Sequence, residues 1–149
     1  MTSYENAKIL NARVQSIEFK QHGDDRGMLI AIEAGSDEVP FLFNRCYYIF
    51  NTSPDVERGQ HAHKLLRQVL VCVNGECTIE CETPDGRIHE YRLDAPNKGL
   101  WIEGLVWRVM KQFTADAVLM VLASDRYDES DYIRNYETFK LICQEVQHG

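Results

Sequence analysis

A chain of 149 residues, 44% apolar and 10% aromatic, is long enough to bury one core and is not the composition of a disordered segment. Its formal net charge of −7 argues against a nonspecific nucleic-acid binder, which needs a basic field. No apolar run reaches the roughly 18–20 residues of a membrane span, and "MTSYENAKILNARVQ" has no signal-peptide pattern, so a cytoplasmic protein with no membrane contact is expected.

In chain order, short β-rich runs are separated by turn signals, with no repeat, linker or low-complexity stretch. The runs are "RVQSIEF", "GMLIAIE", "FLFNRCYYIF", "RQVLVCV", "CTIECE", "IHEYRL", "GLWI", "VWRVMKQF" and "AVLMVLA". Asn74-Gly75 and "TPDGR" at 83–87 predict tight turns, the second with Pro and Gly where a hairpin needs them. "GSDEVP" and "NTSPDVERG" read as longer loops. This pattern predicts an all-β sandwich or barrel forming a single domain over 1–149.

"RQVLVCV" is apolar on both faces, Val69, Val71 and Val73 on one and Leu70 and Cys72 on the other. A half-exposed strand would alternate with polar residues. Either the strand lies between two sheets or a second subunit covers it, which favours a dimer. At the end, "SDYIRNYETFKLICQEVQ" offers Ser130 or Asp131 as N-cap. Tyr132, Tyr136, Phe139 and Cys143 follow at helical spacing, so one short C-terminal helix is predicted.

The five cysteines are an odd number, and Cys72, Cys77 and Cys81 follow C-x4-C-x3-C rather than a zinc spacing. Reduced, mostly buried thiols are expected. Arginine outnumbers lysine ten to six, and a forked guanidinium suits a diphosphate.

"RGQHAHK" carries the chemistry. Side chains two apart on a strand share a face, so His61 and His63 converge on one cavity. The stretch resembles the first cupin motif, with Gln68 where that motif has glutamate and Gly75 closing it. The later strands supply no third histidine. Two imidazoles and a neutral amide are a poor ligand set for zinc or ferrous iron, so no metal is expected. Imidazoles titrate near neutrality, and two close ones disfavour each other's cationic form, which leaves one neutral as a base. His22, His89 and His148 read as surface residues.

Together "PFLFNRCYYIF", "RGQHAHK", "RQVLVCVNG", "GLWIEGLVWRVMKQF" and "VLASDRYDESDYIRNY" resemble the sugar 3,4-ketoisomerases acting on dTDP-4-dehydro-6-deoxy-glucose, across about residues 8–140. The resemblance implies a cupin-type double-stranded β-helix, or jelly roll, that needs no cofactor. It also implies a homodimer with exchanged N-terminal strands, and a place in deoxyamino-sugar synthesis for bacterial surface glycans such as O-antigen, or in an antibiotic sugar pathway. The reaction moves a carbonyl from C4 to C3 of a dTDP-linked 4-keto-6-deoxy sugar through an enediol. The resemblance puts His61 at the base position, with His63 moving protons between oxygens or orienting the sugar. Tyr47 falls at the family's active-site tyrosine, while Tyr48 points the other way. Arg26, Arg58 and Arg108 are candidates for holding diphosphate or sugar oxygens, and Gln68 for a neutral hydrogen bond. Arg26 and Arg108 are also candidates for setting the C4 configuration. Trp101 and Trp107 read as core, and the acidic "SDRYDESDYIRNY" as a solvated loop. A dTDP-sugar 3,5-epimerase and a noncatalytic sugar-binding cupin remain as alternatives.

Overall fold

A computed structural model describes residues 12–148. The strands are β1 (Arg13–Glu18), β2 (His22–Asp24), β3 (Gly27–Leu29), β4 (Arg45–Ile49), β5 (Arg58–His63), β6 (Arg67–Asn74), β7 (Cys77–Glu82), β8 (Ile88–Leu93), β9 (Lys98–Glu103), β10 (Trp107–Lys111), β11 (Val118–Ala123) and β12 (Tyr132–Ile133). One helix, α1 (Tyr136–His148), follows. The order in one five-stranded sheet is β1-β9-β6-β11-β4, and in the other β12-β5-β10-β7-β8, while β2 and β3 form a separate hairpin. All pairings are antiparallel. This is the expected jelly roll with its C-terminal helix.

The two sheets enclose an apolar core. Leu70, Cys72, Leu100, Ile102, Leu119 and Val121 from the first meet Cys77, Ile79, Cys81 and Met110 from the second. Four of the five thiols are buried and free, with Cys46 exposed, as the spacing predicted. On the outside of the second sheet, Phe139, Cys143 and Val146 of α1 pack on Ala62, Leu105 and Ile133. Trp107 lies against Tyr136 and Phe139, with ring centroids 5.3 and 5.6 Å away, so it is structural.

Several boundaries differ from the sequence reading. The strand expected over "GMLIAIE" stops at Leu29, and that over "FLFNRCYYIF" starts only at Arg45. The intervening chain folds instead onto the outer face of the first sheet. There Val39 and Phe41, with Ile30, Ile32 and Phe43, cover Val69, Val71 and Trp101. The apolar outer face of β6 is thus buried largely by its own chain, an arrangement the sequence reading did not consider. Only Val73 stays substantially open, at 41%. The Asn74-Gly75 turn does not close a hairpin. It carries the chain from the first sheet to the second, and Gly75 sits at φ +66° where a Cβ would meet Thr114 Oγ1 at 2.4 Å. "TPDGR" is the true hairpin turn, between β7 and β8. The helix begins at Tyr136 rather than at 130 or 131. Asn135 caps it, its Oδ1 accepting from Thr138 N at 2.9 Å, while Glu129–Asp131 form a single 3-10 turn. From Arg13 onward the N-terminal strand pairs with β9 of its own chain; the residues before Ala12, where part of the expected exchange falls, lie outside those described.

Candidate active site

The inner face changes character along the strands. Where Ile49, Leu70 and Met110 line the core, Tyr47, Gln68 and Arg108 stand two residues earlier on the same strands. β5 adds His61 and His63, which are 9% and 1% exposed.

β5 is irregular. Gly59 and Gln60 take φ of +81° and +51°, and His61 pairs with Arg108 while Gly59 pairs with Val109, leaving Gln60 as an extra residue. A side chain on Gly59 would bring its Cβ within 3.0 Å of the Arg108 carbonyl oxygen. The bulge also places Arg58 opposite Met110, on the face that carries His61, although the two are three residues apart. Arg58 is exposed at the sheet edge.

The two imidazoles meet edge to face, centroids 4.8 Å apart, and Tyr132 lies on both, at 5.0 Å from His61 and 4.3 Å from His63. The Arg134 guanidinium stands 4.2 Å from the Tyr132 ring centre and is held by a forked pair to Glu129. His63 Nδ1 donates to Asp131 Oδ2 at 3.0 Å, and Asp131 Oδ1 accepts from Leu65 N at 2.9 Å. Part of the acidic segment is therefore not a solvated loop: its Asp131 side chain is 19% exposed and anchors a histidine.

A chain of hydrogen bonds crosses from β10, the neighbour of β5, to the facing sheet. Arg108 Nη1 donates to Gln68 Oε1 and Nη2 to the Val106 carbonyl at 3.1 Å; Gln68 Nε2 donates to the Tyr47 hydroxyl at 3.1 Å. Because that hydroxyl accepts from Gln68, its own hydrogen is free to be donated elsewhere. Arg108 is fully buried and its Nε has no partner among the described residues. Gln68, at the place of a cupin metal ligand, has its oxygen occupied by a cation. Among the described residues no three His, Cys, Asp or Glu side chains are grouped to hold a metal ion.

The electrostatics follow from burial beside Arg108. Burial lowers His61 to about 3, helped by the charge of Arg108 and by His63. Burial lowers His63 to about 4, with the Asp131 hydrogen bond opposing and Arg108 assisting. Burial raises the Tyr47 phenol, against the pull of Arg108. Burial would raise Asp131, but the His63 and Leu65 hydrogen bonds outweigh it and hold the carboxyl below its ordinary value. At neutral pH both imidazoles are neutral, Asp131 is anionic and Tyr47 keeps its proton.

A cavity of about 520 Å³ opens beside His63, lined also by Arg45, Arg126, Tyr127, Asp131 and Tyr132. His61 does not line it. The structure thus brings His61, His63, Tyr47, Gln68 and Arg108 together and puts Arg58 on the same face at the edge. It does not bring Arg26, which is 91% exposed at the β2–β3 turn and bonded to Asp24 at 2.6 Å. The sequence reading gave Asp131, Tyr132 and Arg45 no part in the site, taking the first two as helix signals instead. Arg45 shares an inner-face row with Ala123 and Gln68 and lies over the Tyr47 ring at 5.3 Å. The signal available for these three was their place in "NRCYYI" and "DYIRNY".

Comparison with known proteins matches residues 12–144 to the FdtA family (WxcM-like, C-terminal). A TDP-4-oxo-6-deoxy-alpha-D-glucose-3,4-oxoisomerase of Aneurinibacillus thermoaerophilus is 51% identical over 131 residues, 87% of this chain and 92% of the relative. The 3,4-ketoisomerase QdtA of Thermoanaerobacterium thermosaccharolyticum was solved as a His-to-Asn mutant with TDP-4-keto-6-deoxyglucose. It superposes with a TM-score of 0.84 at 43% identity, covering 89% of this chain and 94% of QdtA. The TDP-quinovose 3,4-ketoisomerase WlaRB of Campylobacter jejuni gives 0.81 at 44% identity, covering 86% and 97%. On these matches the chain belongs to the FdtA-like family of sugar 3,4-ketoisomerases.

Proposed function

We propose that the protein is a nucleotide-sugar isomerase that moves the carbonyl of TDP-4-keto-6-deoxyglucose from C4 to C3. The observation that carries this reading is the pair of buried, neutral imidazoles on β5, with Arg108 beside them on β10 of the same sheet and bonded across the interior to Gln68, and through it to Tyr47, on the facing sheet. The C4 carbonyl acidifies the C3 hydrogen. His61, neutral above about pH 3, accepts that proton. Arg108 weakens His61 as a base, but the same buried charge stabilises the enediolate that forms beside it, so one group sets both ends of the transfer. His63 carries the proton of the C3 hydroxyl to O4, and Tyr47 donates toward the developing oxyanion. C4 is then protonated and the carbonyl forms at C3. One C–H bond breaks and one forms, so no oxidant or reductant is consumed.

Arg58 is assigned to the diphosphate, which fits its exposure and its shared face with His61. Arg108 and Gln68, both buried and already bonded to each other, are assigned to the sugar end of the site. A homodimer is proposed as well. Tyr48 and Phe50, 64% and 56% exposed, with Leu42 at 70%, leave apolar surface beside β4 for a second copy. In that assembly Arg26 would act in the site of the partner rather than its own. Four buried free thiols fit a reducing compartment, and action in the cytoplasm is proposed.

The test is NMR of TDP-4-keto-6-deoxyglucose incubated with the protein in D2O. A product with its carbonyl at C3 is expected, with deuterium at C4 in the fraction of turnovers in which the His61 imidazolium exchanges its proton with solvent before returning it. Deuterium at C3 and C5 with the carbonyl still at C4 would overturn the isomerase reading in favour of an epimerase, and binding without exchange would favour a sugar-binding protein.

A further inference from the structure

The His63–Asp131 contact is more than a tie between strands. The backbone already joins these segments, since Lys64 N donates to the Asp131 carbonyl at 3.0 Å and Tyr132 pairs with His63 in the ladder. The carboxylate itself has one oxygen on Leu65 N and the other on the imidazole, so it cannot rotate without losing a bond. An ionised carboxylate only accepts hydrogen bonds, so His63 Nδ1 must carry the hydrogen. A neutral imidazole has one N–H, so Nε2 is left with a bare lone pair. That nitrogen is buried and meets no partner among the described residues. A buried acceptor without a donor costs free energy and is retained where a ligand supplies the donor.

Resting on the isomerase reading above, we propose that Asp131 is a positioning residue that locks His63 as the Nδ1–H tautomer, holding Nε2 ready to take the proton of the C3 hydroxyl. After His61 has removed the C3 hydrogen, the O3–H bond breaks toward Nε2 and His63 becomes an imidazolium stabilised by Asp131. The same nitrogen then gives the proton to O4, which leaves the charge on O3. As C4 takes a proton from the imidazolium of His61, the C3 carbonyl forms, and both histidines return to their starting state. His61 has no carboxylate partner among the described residues, so the carbon and oxygen proton transfers fall to differently supported imidazoles.

The test compares the wild type with Asp131→Asn, which can keep the Leu65 bond but no longer demands a hydrogen on Nδ1. Histidine 15N spectra of the unliganded proteins, with His63 assigned through His63→Gln, should show Nδ1–H in the wild type and a shift toward Nε2–H in Asp131→Asn. The kcat for isomerisation should fall tenfold to a hundredfold with KM within twofold, while deuterium wash-in at C3 of the substrate stays within threefold of wild type. Asp131→Glu should recover part of kcat. An Nε2–H tautomer in the wild type, or an unchanged kcat in Asp131→Asn, would overturn the proposal. So would a parallel loss of C3 wash-in and isomerisation with an unchanged 15N pattern, which marks a merely structural role. The 15N readout needs no substrate, so failure of the isomerase reading shows separately, as a wild type that does not move the carbonyl.

Discussion

The two ends of the barrel interior use the same strands for opposite purposes. At one end Ile49, Leu70, Leu100 and Met110 pack as hydrocarbon, and their burial drives folding. Two residues along, Tyr47, Gln68 and Arg108 with the two histidines bury polar and charged groups, and Arg108 Nε and His63 Nε2 have no partner among the described residues. Burial of that kind opposes folding unless every group is paired. The contrast teaches that the apolar end stabilises a frame stiff enough to hold an arginine and two neutral imidazoles out of water, where their charges and lone pairs act with little screening.

Breaking the polar end should give the largest effect. His61→Asn is expected to reduce kcat by about a thousandfold or more, in the range of a lost general base, with the fold and TDP affinity retained. Steady-state kinetics with TDP binding by calorimetry checks this, and retention of most activity would remove His61 from the base role. Breaking the other end should do the reverse. Leu100→Ala, at a fully buried position, is expected to cost about 2–5 kcal/mol of stability. It should leave kcat per folded molecule nearly unchanged, as urea unfolding and active-site titration would report.

A pH series sharpens the comparison further. The folded values of His61 and His63 lie near 3 and 4, below the unfolded value of about 6.5. The unfolded chain therefore binds more protons as pH falls. Their stabilising contribution is complete above about 6.5 and is lost as pH drops toward 4 and then 3. Each histidine adds a slope of about 1.4 kcal/mol per pH unit inside its window. Between pH 6 and 4.5, His61→Asn should show the shallower dependence of unfolding free energy; equal slopes would contradict the burial-driven shift. The smallest effect is expected at Arg26. Arg26→Ala should leave the urea unfolding midpoint unchanged, because its pair with Asp24 is exposed and screened by solvent; a clear shift in the midpoint would contradict this.

The jelly roll was legible because alternation, turn residues and β-branched runs all act locally. The convergence of His61 and His63 was legible for the same reason, through the two-residue period of a strand. What escaped the sequence depends on distant parts of the chain. Nothing local says that Phe41 and Val39 will cover Val69 and Val71, which explains why an apolar strand looked like a subunit interface. Nothing local joins Asp131 to His63 across 68 residues, so a carboxylate among many acids looked solvated. Gln68 bonds to Tyr47 and Arg108, which come from two other strands, so its network could not be read from its own segment.

The extra residue in β5 changes what spacing means in this segment. Measured along the chain, Arg58 and His61 are three apart, a distance that would set them on opposite faces. Measured by partners on β10, they stand opposite Met110 and Arg108, an even step. Gln60 is thus silent in the ladder: a shortened chain lacking it could present the same arginine and imidazole on the same face of the sheet. Two sequences of different length through "RGQHAH" can therefore be one site, and an alignment that forces them into equal spacing would misplace the arginine.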